Sequence, residues 1–167
     1  MTKEELLRIY SAYLPYNVTI TDISNDQEFI LDHDNLAGVL NDAEHLDTIR
    51  LHLYDLSYLT KEIEHAGKNF VPIKKLCDMV YYGQEAIGDP SNGDFGWGQE
   101  FGSNGVVTGT LEIYNDLTIC CYSNKKGKPY RAINQFSAYQ KLLEWQFNTY
   151  KLRKDQFINK ATLNQKS

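Results

Sequence analysis

The chain has 167 residues and a formal net charge of −5, and 42% of its residues are hydrophobic. This length suffices for one domain, over residues 1–167, that buries a core without disulfide bonds, and three cysteines with one adjacent pair do not form a disulfide framework. No apolar run approaches the roughly 20 residues that span a bilayer, and the polar MTKEELLRIY does not resemble a secretory signal. We therefore expect a cytoplasmic protein without a membrane segment.

The N-terminal residues predict a helix. Thr2 and Glu5 have the spacing of a capping box, in which the hydroxyl and the carboxylate each bind a free backbone N–H of the first turn. Pro15 marks the end of this helix, because proline lacks the N–H that continues the hydrogen-bond pattern. The apolar residues that recur at helical spacing are Leu6, Leu7, Tyr10, Tyr13 and Leu14.

Two segments with alternating side chains then predict a β-hairpin. NVTITDI begins at Asn17 and is rich in β-branched residues, and FILDHD begins at Phe29. The polar residues 24–28 form the turn between them. Residues 36–46 after this hairpin fit either a turn or a short helix.

The stretch from Leu51 to Ile73, LHLYDLSYLTKEIEHAGKNFVPI, carries the clearest local signals, and the rest of the chain is expected to be arranged around it. LHLY alternates as a strand does, and Asp55 follows as a residue able to cap a helix. The helix should end at Gly67 and be followed by extended residues before Pro72. Its apolar stripe consists of Leu56, Leu59, Ile63 and Ala66.

Residues 83–109 differ in composition from the rest of the chain. They hold eight of the 11 glycines together with Phe95, Trp97 and Phe101. Because glycine weakens helices and strands, we predict a long loop or an irregular insertion here. The preceding KKLCDMVYYG fits either a short helix or a strand.

The C-terminal third predicts a second hairpin and a long helix. VVTGTLEIY and LTICCYS flank Asn115 and Asp116, which tolerate the positive φ of a tight turn. Ser137 and Gln140 form another capping box, which opens the aromatic-rich helix SAYQKLLEWQFNTYKL. The polar tail over residues 155–167 is expected to lie extended over the domain or to fray.

These elements together predict an α+β fold. Its sheet is mostly antiparallel, is built from two hairpins and a central strand, and packs against two or three helices. No internal repeat and no linker divides the sequence, which favours a single domain.

Three stretches resemble a group of small uncharacterised proteins encoded by bacteriophages and prophages. They are EELLRIYSAYLPYNV, LYDLSYLTKEIEHAGKNFVPI and YQKLLEWQFNTYKL. The chain departs from that group at Asn17, where the group tends to have glycine, and at Gln146, where it tends to have histidine. The resemblance implies a phage-type accessory protein and carries over no activity, cofactor or site.

The acidic clusters do not have the spacing of a metal site. Along a strand, His33 would face away from Asp32 and Asp34, so we interpret these residues as solvated charges. The cluster formed by Asp42, Glu44, His45 and Asp47 has the same interpretation.

Motifs for catalysis or cofactor binding are also missing. The four histidines have no HxxxH or HExxH spacing, and His52 and His65 are expected on a strand and on a polar helix face. The cysteines have no CxxC spacing and are expected to be buried thiols, with Cys120 and Cys121 on opposite faces of a strand. GWGQEFG is not GxGxxG, so we expect no cofactor and no metal.

Two features remain as candidate binding sites. The glycine-rich loop would present aromatic side chains that could stack on a base or enter a groove of a partner. A basic turn with one aromatic, supplemented by Lys151, Arg153 and Lys154, could contact phosphates. The candidate residues are Phe95, Trp97, Phe101, Lys125, Lys126, Lys128, Tyr130 and Arg131.

The charge is distributed unevenly, with 7 basic and 20 acidic residues in 1–116 but 10 and 2 in 117–167. The two parts could compensate each other in the folded protein, or they could give an acidic and a basic surface. Our first hypothesis is a non-enzymatic phage or prophage accessory protein that binds a host or phage protein. The alternatives are a binder of single-stranded nucleic acid or nucleotides that uses the basic third, and an enzyme whose site is not visible in the sequence.

Overall fold

The computed structural model describes residues 2–41, 47–80, 83–123, 129–130 and 134–163. The predicted α+β class is confirmed, because these residues form helices and mostly antiparallel strands. The helices are α1 (Lys3–Tyr13), α2 (His33–Asn41), α3 (Pro72–Cys77), α4 (Gln135–Glu144) and α5 (Lys160–Leu163). The strands are β1 (Thr19–Asp22), β2 (Gln27–Ile30), β3 (Ile49–Leu53), β4 (Ile63–His65), β5 (Lys68–Phe70), β6 (Glu85–Ala86), β7 (Ser91–Gly93), β8 (Gly96–Ser103), β9 (Val106–Tyr114), β10 (Ile119–Ser123), β11 (Pro129–Tyr130) and β12 (Phe157–Asn159).

The chain divides into two compact units. Unit 1 comprises residues 1–56 and 142–167, and unit 2 comprises residues 57–141. Unit 2 is therefore an insertion in the sequence of unit 1. The expectation of one domain over residues 1–167 stays a prediction. None of the helices in the described residues is both long and apolar enough to cross a membrane.

Unit 1 contains a four-stranded sheet in the order β12-β3-β1-β2. The predicted first hairpin is confirmed, with Thr19 paired to Ile30 and Asp22 to Gln27. Of the two expectations for the tail, fraying is wrong for residues 157–163, because the extended β12 pairs in parallel with β3 and α5 follows it. Phe157 is buried opposite Leu51, so burial of an apolar side chain holds the tail in the sheet.

Helix α1 has the predicted capping box. The backbone N–H of Glu5 donates to Thr2 Oγ1 at 3.1 Å, and the backbone N–H of Thr2 donates to Glu5 Oε2 at 2.8 Å. Leu7 is 44% exposed, so its predicted place in the apolar face is wrong. The buried residues of α1 are Leu6, Ile9, Tyr10 and Tyr13. The helix ends where predicted, before a 3-10 turn that contains Pro15.

The two sequence segments of unit 1 are joined by hydrogen bonds. Tyr54 N–H donates to the carbonyl of Gln146 at 2.8 Å, and Asn148 N–H donates to the carbonyl of Tyr54 at 2.9 Å. The buried Tyr13 hydroxyl donates to the carbonyl of Phe147 at 2.5 Å and accepts from the N–H of Thr149 at 3.1 Å. These bonds connect β3 and α1 to the segment that follows α4.

The predicted helix over residues 55–66 is wrong beyond its first turn. The strand before it is confirmed as β3, but only a 3-10 turn follows, over Leu56–Thr60. Residues 63–70 then form the hairpin β4-β5, and His65 lies on a strand. Ala66 and Gly67 have φ of 51° and 75°, as a tight two-residue hairpin turn requires.

Unit 2 contains a sheet in the order β11-β10-β9-β8-β6, with β7 also paired to β8. The predicted loop or irregular insertion over residues 83–109 is therefore wrong, since β6, β7, β8 and the start of β9 lie there. The second hairpin is confirmed as β9-β10. At its turn the positive φ of 68° falls on Leu117 and not on Asn115 or Asp116.

Helix α4 differs from its prediction at both ends. It begins at Gln135 and ends at Glu144, so the predicted cap at Ser137 and the extension to residue 152 are wrong. The side chain of Asn134 accepts from the N–H of Phe136 at 2.8 Å, in the manner of a helix cap. Gln146 has φ of 63°, which a continued right-handed helix does not permit.

The two ambiguous segments contain helices. α2 occupies the first part of residues 36–46, and residues 42–46 lie outside the described residues. The segment KKLCDMVYYG begins within helix α3, so a helix is the correct alternative for its first part. Tyr81 and Tyr82 are outside the described residues. Asn17, which stands where the resembling group tends to have glycine, has φ of 53°. Asparagine tolerates this left-handed conformation better than most residues.

Candidate functional site

The three aromatic candidates of residues 83–109 have different environments in unit 2. Phe95 is 43% exposed in the turn between β7 and β8. Trp97 is half-buried and pairs with the buried Ile113. Phe101 is completely buried, so its prediction as a contact residue is wrong. Only Phe95 is freely available to a partner.

The basic turn is largely outside the described residues. Lys125, Lys126, Lys128 and Arg131 all belong to that part of the chain. For Tyr130 the structure gives the backbone, which pairs with Cys121 in the β10-β11 ladder. The phosphate-contact hypothesis for these residues stays a prediction.

The outer face of the unit 2 sheet carries aromatic residues that the sequence argument did not select. Along β9, Leu111 and Ile113 are buried, while Glu112 and Tyr114, which alternate with them, are half-buried on the opposite face. In β10, Cys121 is buried and Tyr122 is 36% exposed. Period-two alternation in TLEIY and CCY is the sequence signal that identifies these outward residues.

We define the tyrosine face as Phe95, Glu112, Tyr114 and Tyr122. Tyr114 Oη donates to Glu112 Oε2 at 2.9 Å and lies 2.6 Å from Tyr122 Oη. The ring of Phe95 meets the ring of Tyr114 edge-on, with centroids 6.0 Å apart. Its hydrogen bonds with Tyr122 and Glu112 raise the pKa of Tyr114, so the Tyr114 hydroxyl keeps its proton near pH 7.

Two glycines of β8 lie opposite the tyrosine face. Gly96 is the register partner of Tyr114, and Gly98 is the partner of Glu112. Cross-strand partners lie on the same face of a sheet, so no β8 side chain stands beside these two residues. Both glycines are nevertheless buried, and a Cβ at Gly98 would lie 2.9 Å from Ser91 Oγ, so neighbouring atoms cover this backbone.

The surrounding sequence has only negative charge. Residues 76–124 contain no lysine or arginine, and their seven acidic residues are Asp78, Glu85, Asp89, Asp94, Glu100, Glu112 and Asp116. Two of these acids are in ion pairs with lysines just outside the stretch, Asp78 with Lys75 and Asp89 with Lys74. Within the tyrosine face, the formal charge is that of Glu112, while Tyr122 pairs with Pro129 next to Lys128 in the sequence.

The arrangement closest to a catalytic pair is in unit 1. Thr21 Oγ1 and His52 Nε2 are 2.6 Å apart, and both residues are 4% exposed. Burial lowers the pKa of His52 despite the opposing charge of Glu28, so the ring is neutral at pH 7. Neither residue lines any of the three pockets described below. We interpret the pair as a satisfied hydrogen bond on the sheet.

The cysteines and acidic clusters likewise have structural roles. Burial raises the pKa of both Cys77 and Cys121 to about 12, which leaves them protonated and unreactive. Asp32 Oδ1 accepts from the N–H of Asn35 at 2.8 Å and so caps the first turn of α2. Within the described residues, no group of three or more His, Cys, Asp or Glu side chains is arranged to hold a metal ion.

Unit 1 has two pockets between its secondary-structure elements and a third, of about 540 Å³, along α1. Of the first two, the larger, about 420 Å³, lies between the first hairpin and α2. Its polar groups bind one another: Asp22 accepts from Ser24 at 2.6 Å, and Asn25 donates to Gln27 at 3.4 Å. The smaller, about 240 Å³, is lined by Tyr10 and Arg50 among other residues.

Comparisons of the chain with protein-family models, with curated proteins and with solved structures found no match. The functional argument accordingly depends on the residues of the tyrosine face and of the unit 1 pockets.

Proposed function

We propose that this is a non-enzymatic accessory protein of a phage or prophage, and that its tyrosine face binds a basic segment of a host or phage protein. The observation that carries the proposal is an ordered aromatic cluster joined by hydrogen bonds to one carboxylate, that of Glu112. The phage assignment is supported by the resemblance of the three stretches named above.

The chemistry of the face fits a lysine or arginine side chain. Tyrosine rings attract cations through their π-electrons, and Glu112 supplies a formal negative charge. Tyrosine also gives a large contact area at a small cost in conformational entropy. The bonds of Tyr114 to Glu112 and Tyr122 order these side chains before binding, which reduces that cost further.

Nucleic acid is less suited to this face, since Glu112 would repel phosphate. The nucleic-acid alternative depends instead on the basic turn over residues 125–131. Mobility shift with single-stranded DNA at low salt tests that alternative separately, because electrostatic binding is strongest there.

The first experiment uses a synthetic peptide rich in lysine and arginine, with an acidic peptide of equal length as the comparison. Binding is measured by calorimetry for the wild-type protein and for Tyr122→Ala and Glu112→Gln. We expect the wild type to bind only the basic peptide, and each variant to bind about five- to tenfold more weakly. Added salt should weaken binding further, because it screens exposed charges.

Val106→Ala is the matched control, since Val106 is 64% exposed at the far end of β9 and outside the tyrosine face. This variant should bind like the wild type. The same proteins then serve as baits in host lysate, where the true partner should be captured by the wild type and by Val106→Ala but not by Tyr122→Ala. Equal capture by all baits, or equal binding of both peptides, would contradict the proposal.

A further inference from the structure

The smaller pocket of unit 1 contains polar groups that the proposed function does not use. It has a volume of about 240 Å³ and lies between α1, β3 and the segment before β12. Leu6, Ile9 and Ile49 form part of an apolar wall. Tyr10, Arg50 and Gln156 bring hydrogen-bond donors to the same pocket.

Tyr10 is the first indication of a ligand. Its side chain belongs to a residue that is only 3% exposed, and its hydroxyl has no hydrogen-bond partner among the described residues. Burial raises the pKa of Tyr10 despite the opposing charge of Arg50, so the hydroxyl keeps its proton. Tyr10 is not among the buried polar atoms without a partner, so its hydroxyl is accessible from the pocket and can donate to an acceptor there.

Arg50 is the second indication. Its Nη1 donates to the carbonyls of Asp47 and Ile49 at 2.7 and 3.0 Å, which fixes the guanidinium in place. The described part of the chain offers no partner to its other nitrogens. Arg153 differs, because Asp155 accepts two bonds from it at 3.1 and 3.2 Å and neutralises its charge. Arg50 also interacts with Asp155, whose pKa is lowered mainly by Arg153 and to a smaller extent by Arg50, so the charge of Arg50 is only partly compensated within the pocket.

We propose that this pocket binds the carboxylate or phosphate group of a small molecule, with Arg50 and Tyr10 as the two donors. A guanidinium and a hydroxyl are the donor types that recognise an oxyanion in a partly apolar site. The carboxylates of Asp47 and Asp155 also line the pocket and limit the negative charge that it accepts. A zwitterion such as a free amino acid satisfies both signs of charge.

The experiment is an NMR titration of the full-length protein with three probes: inorganic phosphate, acetate and glycine. Saturable shifts at the Tyr10 and Arg50 amides are expected with at least one probe. Phosphate alone identifies a phosphoryl ligand, and acetate or glycine identifies a carboxylate. If glycine binds more tightly than acetate, its ammonium group contacts a carboxylate of the pocket, Asp47 or Asp155.

Tyr10→Phe removes only the hydroxyl and keeps the packed ring, so it should raise the Kd about tenfold. Arg50→Gln should raise it at least as much. Tyr16→Phe and Arg8→Gln are controls of the same chemistry outside this pocket, and both should bind like the wild type. The proposal is overturned if none of the three probes binds, or if both pocket variants bind as tightly as the wild type. Neither result bears on the tyrosine face of unit 2.

Discussion

Cys120 and Cys121 are neighbours in β10 but have different environments. Cys121 is 2% exposed on the inner face, whereas Cys120 is half-buried on the outer face opposite Glu112. Cys77 is completely buried. The sequence prediction that the adjacent pair faces opposite sides is confirmed, because alternation along a strand is a local property of the backbone.

We predict that one thiol of the folded protein reacts rapidly with an alkylating reagent and that two react only after unfolding. A thiol pKa of about 12 leaves Cys77 and Cys121 with little reactive thiolate at about pH 8, and burial also blocks the reagent. Mass spectrometry of labelled peptides locates the modified residue. Cys120→Ser should abolish the rapid reaction, and two rapid thiols in the folded wild type would contradict the structure.

Burial of individual residues was harder to predict where no regular element had been recognised. Phe95 and Phe101 looked equivalent as aromatics in a glycine-rich loop. Once Phe101 lies on a strand opposite Gly109, its ring has space to enter the core. Tyr114 and Tyr122 could be selected as candidate contact residues only after β9 and β10 showed that both side chains point to the outer face of the sheet. The tyrosine face therefore depends on how the strands pair, and the composition of a segment does not predict that pairing.

At the scale of elements, the glycines of β8 and β9 have a steric function. A Cβ atom at Gly102 would lie 1.8 Å from the carbonyl oxygen of Val106, beside the β-bulge between Phe101 and Gly102. A Cβ at Gly96 would lie 2.1 Å from the carbonyl oxygen of Ile113. High glycine content usually indicates a loop, but here glycine permits close approach of strands. Propensity alone does not distinguish the two cases.

Gly102→Ala should lower the free energy of unfolding by at least about 2 kcal/mol, because the backbone must move to admit the methyl group. Gly105→Ala is the matched control in the same hairpin, since Gly105 has φ of 75° and open space around its Cβ position. It should cost about 1 to 2 kcal/mol from backbone strain alone. Urea denaturation followed by the fluorescence of Trp97 and Trp145 measures both. A smaller loss for Gly102→Ala than for Gly105→Ala would be inconsistent with the β8-β9 packing.

The helix predicted after Asp55 was also wrong, because local patterns do not determine which strands pair. The apolar residues of the stretch after Asp55 fit helical spacing, yet β4 and β5 pair across a turn at Ala66 and Gly67. Short apolar runs fit both the period of a helix and the period of a strand, and tertiary packing decides which of the two forms. The capping box of α1 and the first hairpin were predictable because each is specified by residues close in sequence.

At the scale of the whole molecule, neither a composition shift nor a linker marks the boundaries of unit 2 in the sequence. The chain leaves unit 1 after Tyr54 and returns before Phe147, and these two residues form a parallel bridge. The two crossing points are thus neighbours in unit 1, which is the arrangement that tolerates a domain insertion. The boundary depends on this long-range pairing, and local patterns do not reveal it.

We predict that unit 1 folds without unit 2 when residues 56 and 142 are joined by a flexible linker of about four to six residues. The buried contacts of Tyr13, Leu51 and Phe157 lie among residues of this unit, so its sheet should form with a cooperative unfolding transition. In the shortened protein, Tyr13→Phe should cost about 1 to 3 kcal/mol, because the N–H of buried Thr149 loses its acceptor. Tyr16→Phe should leave stability nearly unchanged. Loss of the cooperative transition in the shortened protein would instead favour one domain over the whole chain.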